Sequence, residues 1–125
     1  MAYNILIVDD SLLARTFMEK AIRLSGLDIG DIYMAENGKK ALAVMEQQWV
    51  DVVFADINMP EMNGIELVHA MRESTLLQNM PVVIVSTERS ETRIEDLRQC
   101  GIQAYISKPF APERLKRIVE DVFQN

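Results

Sequence analysis

The chain has 125 residues, of which 49% are hydrophobic and 26% charged, and carries a formal net charge of −6 at pH 7. That length suits one domain over residues 1–125 with a single core, and the apolar content excludes a disordered chain. The acidic excess argues against a nucleic-acid surface, and the lone Cys100 argues against a disulfide framework. With no apolar stretch of spanning length and no leader-like N-terminus, the expected location is the cytoplasm, away from membranes.

In chain order, an apolar run at 5–8 is followed by Leu13, Phe17, Ala21 and Leu24. Their i, i+4, i+8, i+11 recurrence predicts an amphipathic helix with these four on its buried face, capped near Asp10 or Ser11 and closed by Gly26. A weaker run at 32–35 precedes a helix that opens after Asn37-Gly38 and turns Ala41, Leu42 and Met45 inward. The run at 52–55 precedes a third helix after Asn63-Gly64, with Ile65, Leu67, Val68 and Met71 inward. The run at 81–85 leads to a fourth helix over 90–99, anchored only by Ile94 and Leu97 and so expected to open at low cost. The short run at 104–106 leads to a last helix from Ala111-Pro112 that buries Leu115, Ile118, Val119 and Val122. Continuous rather than alternating apolarity is what strands covered on both faces require. Five strands alternating with five helices predict an α/β fold, a doubly wound five-stranded parallel sheet in the flavodoxin-like order 2-1-3-4-5.

The chemistry gathers where these strands end. Asp9-Asp10 follows the first run and Asp56 the third, and in an open parallel sheet the carboxyl ends of the strands form the ligand crevice. Three converging carboxylates repel one another, and a hard divalent cation such as Mg²⁺ would resolve the repulsion. Taken singly, Asp9-Asp10 reads more readily as a helix cap than as a ligand pair, and Asp56 reads equally as a turn former. Lys108-Pro109 brings an ammonium to the same edge, with an X-Pro bond able to be cis, and Ser86 brings a hydroxyl. Taken alone, Ser86 or Thr87 reads more readily as the start of the turn toward the fourth helix.

Together, Val8-Asp9-Asp10, Asp56-Ile57-Asn58-Met59-Pro60-Glu61-Met62-Asn63-Gly64, Val85-Ser86-Thr87-Glu88 and Lys108-Pro109-Phe110 resemble the response-regulator receiver domains of two-component signalling. Within that family the likeness, which runs from Ile5 to Phe123, is to the CheY-like stand-alone regulators of the chemotaxis type. The resemblance implies Asp56 as phosphoacceptor, with Mg²⁺ held by Asp10, Asp56 and the backbone carbonyl of Asn58, and with Asp9 acting through water. It implies Ser86 and Lys108 as phosphoryl-binding groups, and Ser86 with Tyr105 as the switch pair. Asn58, Thr87, Glu88 and Pro109 would flank the pocket, with Thr87 bulkier than the family's usual small residue. The implied partners are a sensor histidine kinase and an output protein such as a flagellar motor switch, read by a monomer through its fourth helix, fifth strand and fifth helix. No output domain is expected beyond Phe123.

Two other readings share these residues. One is a phosphorelay intermediate that passes the group to a histidine phosphotransfer protein. The other is a Mg²⁺-dependent phosphohydrolase working through an aspartyl-phosphate, which would want a second acid where Asn58 stands. Outside the pocket, the eight Met read as core fillers and His69, lacking a His or Cys at ligand spacing, as structural or solvated. Cys100 reads as a small buried filler and Trp49 as a cover for the end of the second helix.

Overall fold

Five apolar runs become the five strands of one parallel sheet in the order β2-β1-β3-β4-β5. The structure, a computed structural model, describes residues 2–124. The strands are β1 (Tyr3–Val8), β2 (Ile29–Ala35), β3 (Val52–Ala55), β4 (Val82–Ser86) and β5 (Ala104–Ser107). They alternate with α1 (Leu12–Leu24), α2 (Gly38–Gln47), α3 (Gly64–Glu73), α4 (Glu91–Gln99) and α5 (Pro112–Gln124). The doubly wound α/β architecture expected from the sequence is the one observed.

The sheet is apolar on both faces because both are covered, and alternate residues along each strand serve different cores. Leu6, Val8, Val53, Ala55 and Ile84 pack with Ala41, Met45, Leu67, Val68, Met71 and Leu97 from α2, α3 and α4. Ile5, Ile7, Val52, Phe54, Val83 and Val85 pack on the opposite face with Met18, Ala21 and Ile22 from α1 and Leu115 and Val119 from α5. Strand β2 starts earlier than its apolar run because it lies at the sheet edge, where Asp31 tolerates solvent. Its register shifts between Tyr3 and Ile5, where Asn4 Oδ1 fills the irregularity by accepting from the Asp31 amide at 2.9 Å.

The buried face of α1 is not the predicted one. Met18, Ala21 and Ile22 form it, whereas Leu13 is 80% and Phe17 59% exposed, and Leu24 also faces solvent. Two apolar stripes interleave on this helix, sharing Ala21, and periodicity alone cannot choose between them. The cap is Ser11, whose Oγ accepts from the Ala14 amide, and Gly26 follows the helix with φ +88°. Trp49 does not cover α2: it is 76% exposed, with its indole N–H donating to Asp51 Oδ1 at 3.0 Å. Cys100 is only partly buried: it caps the C-terminus of α4 and packs against the margin of the core.

The turn after β3 is held tightly. A Cβ on Gly64 would lie 2.2 Å from the backbone oxygen of Asp56 and 2.9 Å from Ile57 Cα, so only glycine permits this approach of α3 to the strand end. Asn63 and Glu66 close a capping box at the start of α3. Glu61 takes a left-handed backbone, φ 63°, and its carboxylate accepts from Asn37 Nδ2 at 2.9 Å, linking this turn to the one before α2.

Candidate functional site at the carboxyl ends of the strands

Lys108 is the hinge of the site. Its Nζ donates to Asp9 Oδ2 at 3.1 Å and to Asp56 Oδ2 at 3.3 Å, joining the ends of β1, β3 and β5. The Lys108-Pro109 peptide is cis, and the Lys108 amide donates to the Ser86 carbonyl at 3.0 Å, so the turn after β5 is fastened to the end of β4. The ammonium therefore lies between two carboxylates, at the sheet edge expected from the sequence but paired with Asp9 as well as Asp56.

Asp9 is 7% exposed and uses both of its oxygens: Oδ1 accepts from the Ser11 amide at 3.0 Å while Oδ2 faces Lys108. Its backbone carbonyl accepts from Arg15 Nη1 at 2.6 Å, a contact from the first turns of α1 that nothing in the local sequence announces. Burial raises the Asp9 carboxyl pKa; the Ser11 amide and Lys108 oppose that rise without cancelling it, and Asp56 adds to it. For Lys108, burial works against the charged form, but Asp56 and Asp9 together outweigh it and hold the ammonium above its ordinary pKa.

Asp56 presents Oδ1 to the Ile57 amide at 2.7 Å and Oδ2 to Lys108. Asp10, expected to converge with Asp9 and Asp56, stands apart from them. It is exposed and lacks a hydrogen-bond or ion-pair partner among the described residues, and its carboxylate does not join the other two in a cluster of potential ligand atoms. Lys108 occupies the position between Asp9 and Asp56, and the third acid sits at the solvent side. Asp9 and Asp56 leave Asp10 at the solvent side of the same edge, and carboxylate oxygens are the donor type that suits a hard cation keeping several waters.

Ser86 is fully buried at the end of β4, and its Oγ accepts from the Glu88 amide at 3.1 Å. The turn-forming reading of this hydroxyl is thus satisfied, and the same turn brings Glu88 to Tyr105, whose hydroxyl donates to the Glu88 carbonyl at 2.6 Å. Burial raises the Tyr105 pKa, opposed by the Ser86 hydroxyl beside it. Thr87 and Pro109 are exposed at the rim. Arg93, which sequence reasoning passed over, reaches from α4 to Glu88 Oε1 at 2.6 Å and to Asn58 Oδ1 at 3.3 Å, bridging the two flanking residues. Only the fold brings position 93 to position 58, so no sequence signal marked it.

The chain matches the response regulator receiver domain family over residues 5–120. It is 37% identical over 120 residues to a chemotaxis protein CheY homologue of Campylobacter jejuni, covering 95% of this chain and 91% of that protein. It is 33% identical over 121 residues to the chemotaxis protein CheY of Pseudomonas aeruginosa, covering 97% and 96%. Among solved structures, the chemotaxis response regulator CheY4 of Vibrio cholerae superimposes with a TM-score of 0.84 at 29% identity, covering 98% of this chain and all of that one.

Proposed function

Since the chain belongs to the response-regulator receiver family, we propose that it is a chemotaxis-type switch phosphorylated on Asp56 by a histidine kinase. The observation that carries this reading is Lys108 Nζ within 3.3 Å of both Asp9 and Asp56 at one edge of the sheet. The chemotaxis role rests on the similarity to CheY proteins. No helix among the described residues is long and apolar enough to cross a membrane, which accords with work in the cytoplasm.

Asp56 is the nucleophile in this reading. Its carboxylate attacks the phosphorus, the Asp56 O–P bond forms as the P–N bond of the donor phosphohistidine breaks, and the departing imidazole takes its proton from solvent. Lys108, released from part of its pairing with Asp56, turns its charge to a phosphoryl oxygen, and Ser86 Oγ donates to another in this reading. Asp10, Asp56 and the Asn58 carbonyl would hold Mg²⁺, with Asp9 behind them; when bound, the ion would neutralise charge on the transferred group. Water attack on the phosphorus later restores the carboxylate and releases inorganic phosphate. The phosphohydrolase alternative lacks support, because the residue two places after Asp56 is Asn58, whose side-chain oxygen accepts from Arg93.

Ser86 and Tyr105 join this pocket to the surface. A Ser86 hydroxyl drawn to the phosphoryl group gives up its bond to the Glu88 amide, and the Glu88 carbonyl is the acceptor that holds Tyr105. Glu88, Arg89, Ile94, Arg98 and Tyr105 line an open groove of about 600 Å³ between the turn after β4, α4 and β5, the face we assign to the output partner.

Acetyl phosphate with Mg²⁺ tests the assignment by intact mass. One added phosphoryl group that is missing in Asp56→Asn is the expected result. Equal labelling of Asp56→Asn would remove Asp56 as the acceptor.

A further inference from the structure

We propose that His69, Asp96 and Cys100 form a binding site for a divalent transition-metal ion of the Zn²⁺ class, joining α3 to α4. His69 lies on α3, while Asp96 and Cys100 are four residues apart on one face of α4, with Cys100 its C-cap. His69 Nε2 is 3.0 Å from Asp96 Oδ1 and 3.5 Å from Cys100 Sγ, and Sγ is 3.8 Å from Asp96 Oδ1. Tetrahedral Zn²⁺, with bonds of about 2.0–2.3 Å, separates its ligand atoms by roughly 3.3–3.6 Å. The three donors thus stand within about 0.3 Å of the spacing the ion requires. Among the described residues, no other three acidic, His or Cys side chains bring their potential ligand atoms within 4.8 Å of one another.

The chemistry of the donors selects the metal. Imidazole and thiolate suit Zn²⁺, Co²⁺ or Ni²⁺ and are poor ligands for Mg²⁺, so this site and the acidic pocket would not compete for one ion. The anchoring is also in place: Arg72, one turn after His69 on α3, donates through Nε to the Cys100 carbonyl at 2.7 Å and through Nη2 to the Gly101 carbonyl at 3.1 Å, fixing the end of α4. Burial and the neighbouring Asp96 keep Cys100 as a thiol. On binding, Sγ loses its proton to solvent as the Sγ–metal bond forms, and Nε2 gives up the proton it shares with Asp96 Oδ1, the neutral imidazole holding its one proton on Nδ1, so that the His69–Asp96 hydrogen bond gives way to two bonds to the ion. Three protein ligands leave a fourth position for water on the solvent side. Because α4 also borders the Tyr105 groove, the ion would fasten to α3 an element of the output face.

Fully reduced protein titrated with Co²⁺ in the presence of excess Mg²⁺ tests this directly. The expected result is one Co²⁺ per chain, with a thiolate-to-cobalt charge-transfer band in the near ultraviolet that Zn²⁺ bleaches. Cys100→Ser should lose the band, and His69→Ala should weaken Co²⁺ binding by more than about tenfold, since each removes one of three ligands. Zn²⁺ should raise the melting temperature of the unsubstituted protein and leave that of Cys100→Ser unchanged, because only a folded site binds. Absence of the band at saturating Co²⁺, or Co²⁺ affinities of Cys100→Ser and His69→Ala equal to that of the unsubstituted protein, would overturn the site.

Discussion

The pocket around Asp56 is made by strand ends, whereas the cluster around His69 is made by two helix faces. In the pocket, Asp9, Asp56 and Ser86 immediately follow apolar runs and Lys108 comes one residue after another, so parallel pairing carries all four to one edge whatever lies between them. In the cluster, His69 meets residues 27 and 31 positions away, and the meeting depends on how α3 and α4 are rotated as they pack. The two differ in chemistry as well. Hard oxygens around a lysine suit a phosphoryl group and Mg²⁺; a nitrogen, an oxygen and a sulfur suit a softer ion.

If they are two independent sites, substitutions should separate them, and this is the largest effect we expect. Asp10→Ala should weaken Mg²⁺ binding by about a hundredfold, or about 2.7 kcal/mol, since a Mg²⁺ site that keeps its waters has few protein ligands to lose. The same variant should leave Co²⁺ binding at His69 unchanged, and Cys100→Ser should leave Mg²⁺ binding unchanged. Calorimetric titration of both ions into both variants checks the pair. Crossed effects would mean that the sites share a ligand or are coupled through the fold.

That contrast also explains what could be read from the sequence. Strand order, Asp9, Asp56, Ser86 and Lys108 were legible because a buried parallel strand announces itself as a continuous apolar run and the next residue inherits its place. Helix faces were not legible to the same degree. On α1 the stripe of Leu13, Phe17 and Leu24 competes with the one ending in Met18 and Ile22, and only docking against β1 and β3 decides. For the same reason Arg93 and Arg72 went unnoticed, since their partners lie 35 and 28 residues away across helix packing. Asp10 shows the limit at the pocket itself: adjacency to Asp9 places it at the correct edge, but β1 ends at Val8, and the bend that follows keeps Asp9 buried while it turns Asp10 to solvent.

Gly64→Ala should cost about 2 kcal/mol, measured by urea denaturation, because the added methyl would meet backbone and no flexible side chain could yield. It should also lower Asp56 phosphorylation by displacing the Asp56-Ile57 peptide, while Co²⁺ binding at His69 persists. Equal stability would show that the start of α3 can move away from the strand end freely. Tyr105→Phe is a smaller change, near 1 kcal/mol, for the lost hydrogen bond to the Glu88 carbonyl. Phosphorylation should survive it, and partner affinity in the presence of a beryllofluoride phosphoryl mimic should fall. Retention of the full enhancement would detach Tyr105 from the switch.

The smallest effect concerns Asp9, because opposing influences partly cancel there. Burial raises its carboxyl pKa, the Ser11 amide and Lys108 pull it back, and Asp56 pushes it up again, leaving the folded value above the ordinary 3.8. The folded state therefore holds this proton more tightly than the unfolded chain does. The stability gained from that preference is complete below pH 3.8 and is lost as the pH rises through the folded value. At neutral pH an ionised Asp9 is thus a net cost in metal-free protein. Asp9→Asn keeps an acceptor for the Ser11 amide and removes the charge, leaving Lys108 to pair with Asp56. The variant should unfold at higher urea than the unsubstituted protein at pH 7, and the difference should shrink as the pH falls toward 4. Added Mg²⁺ should narrow it at pH 7, by stabilising the protein that keeps the full acidic set. A lower urea midpoint for Asp9→Asn at pH 7 without metal would mean that the Lys108 pairing outweighs the burial of Asp9, and that the acidic pocket is at rest without its ion.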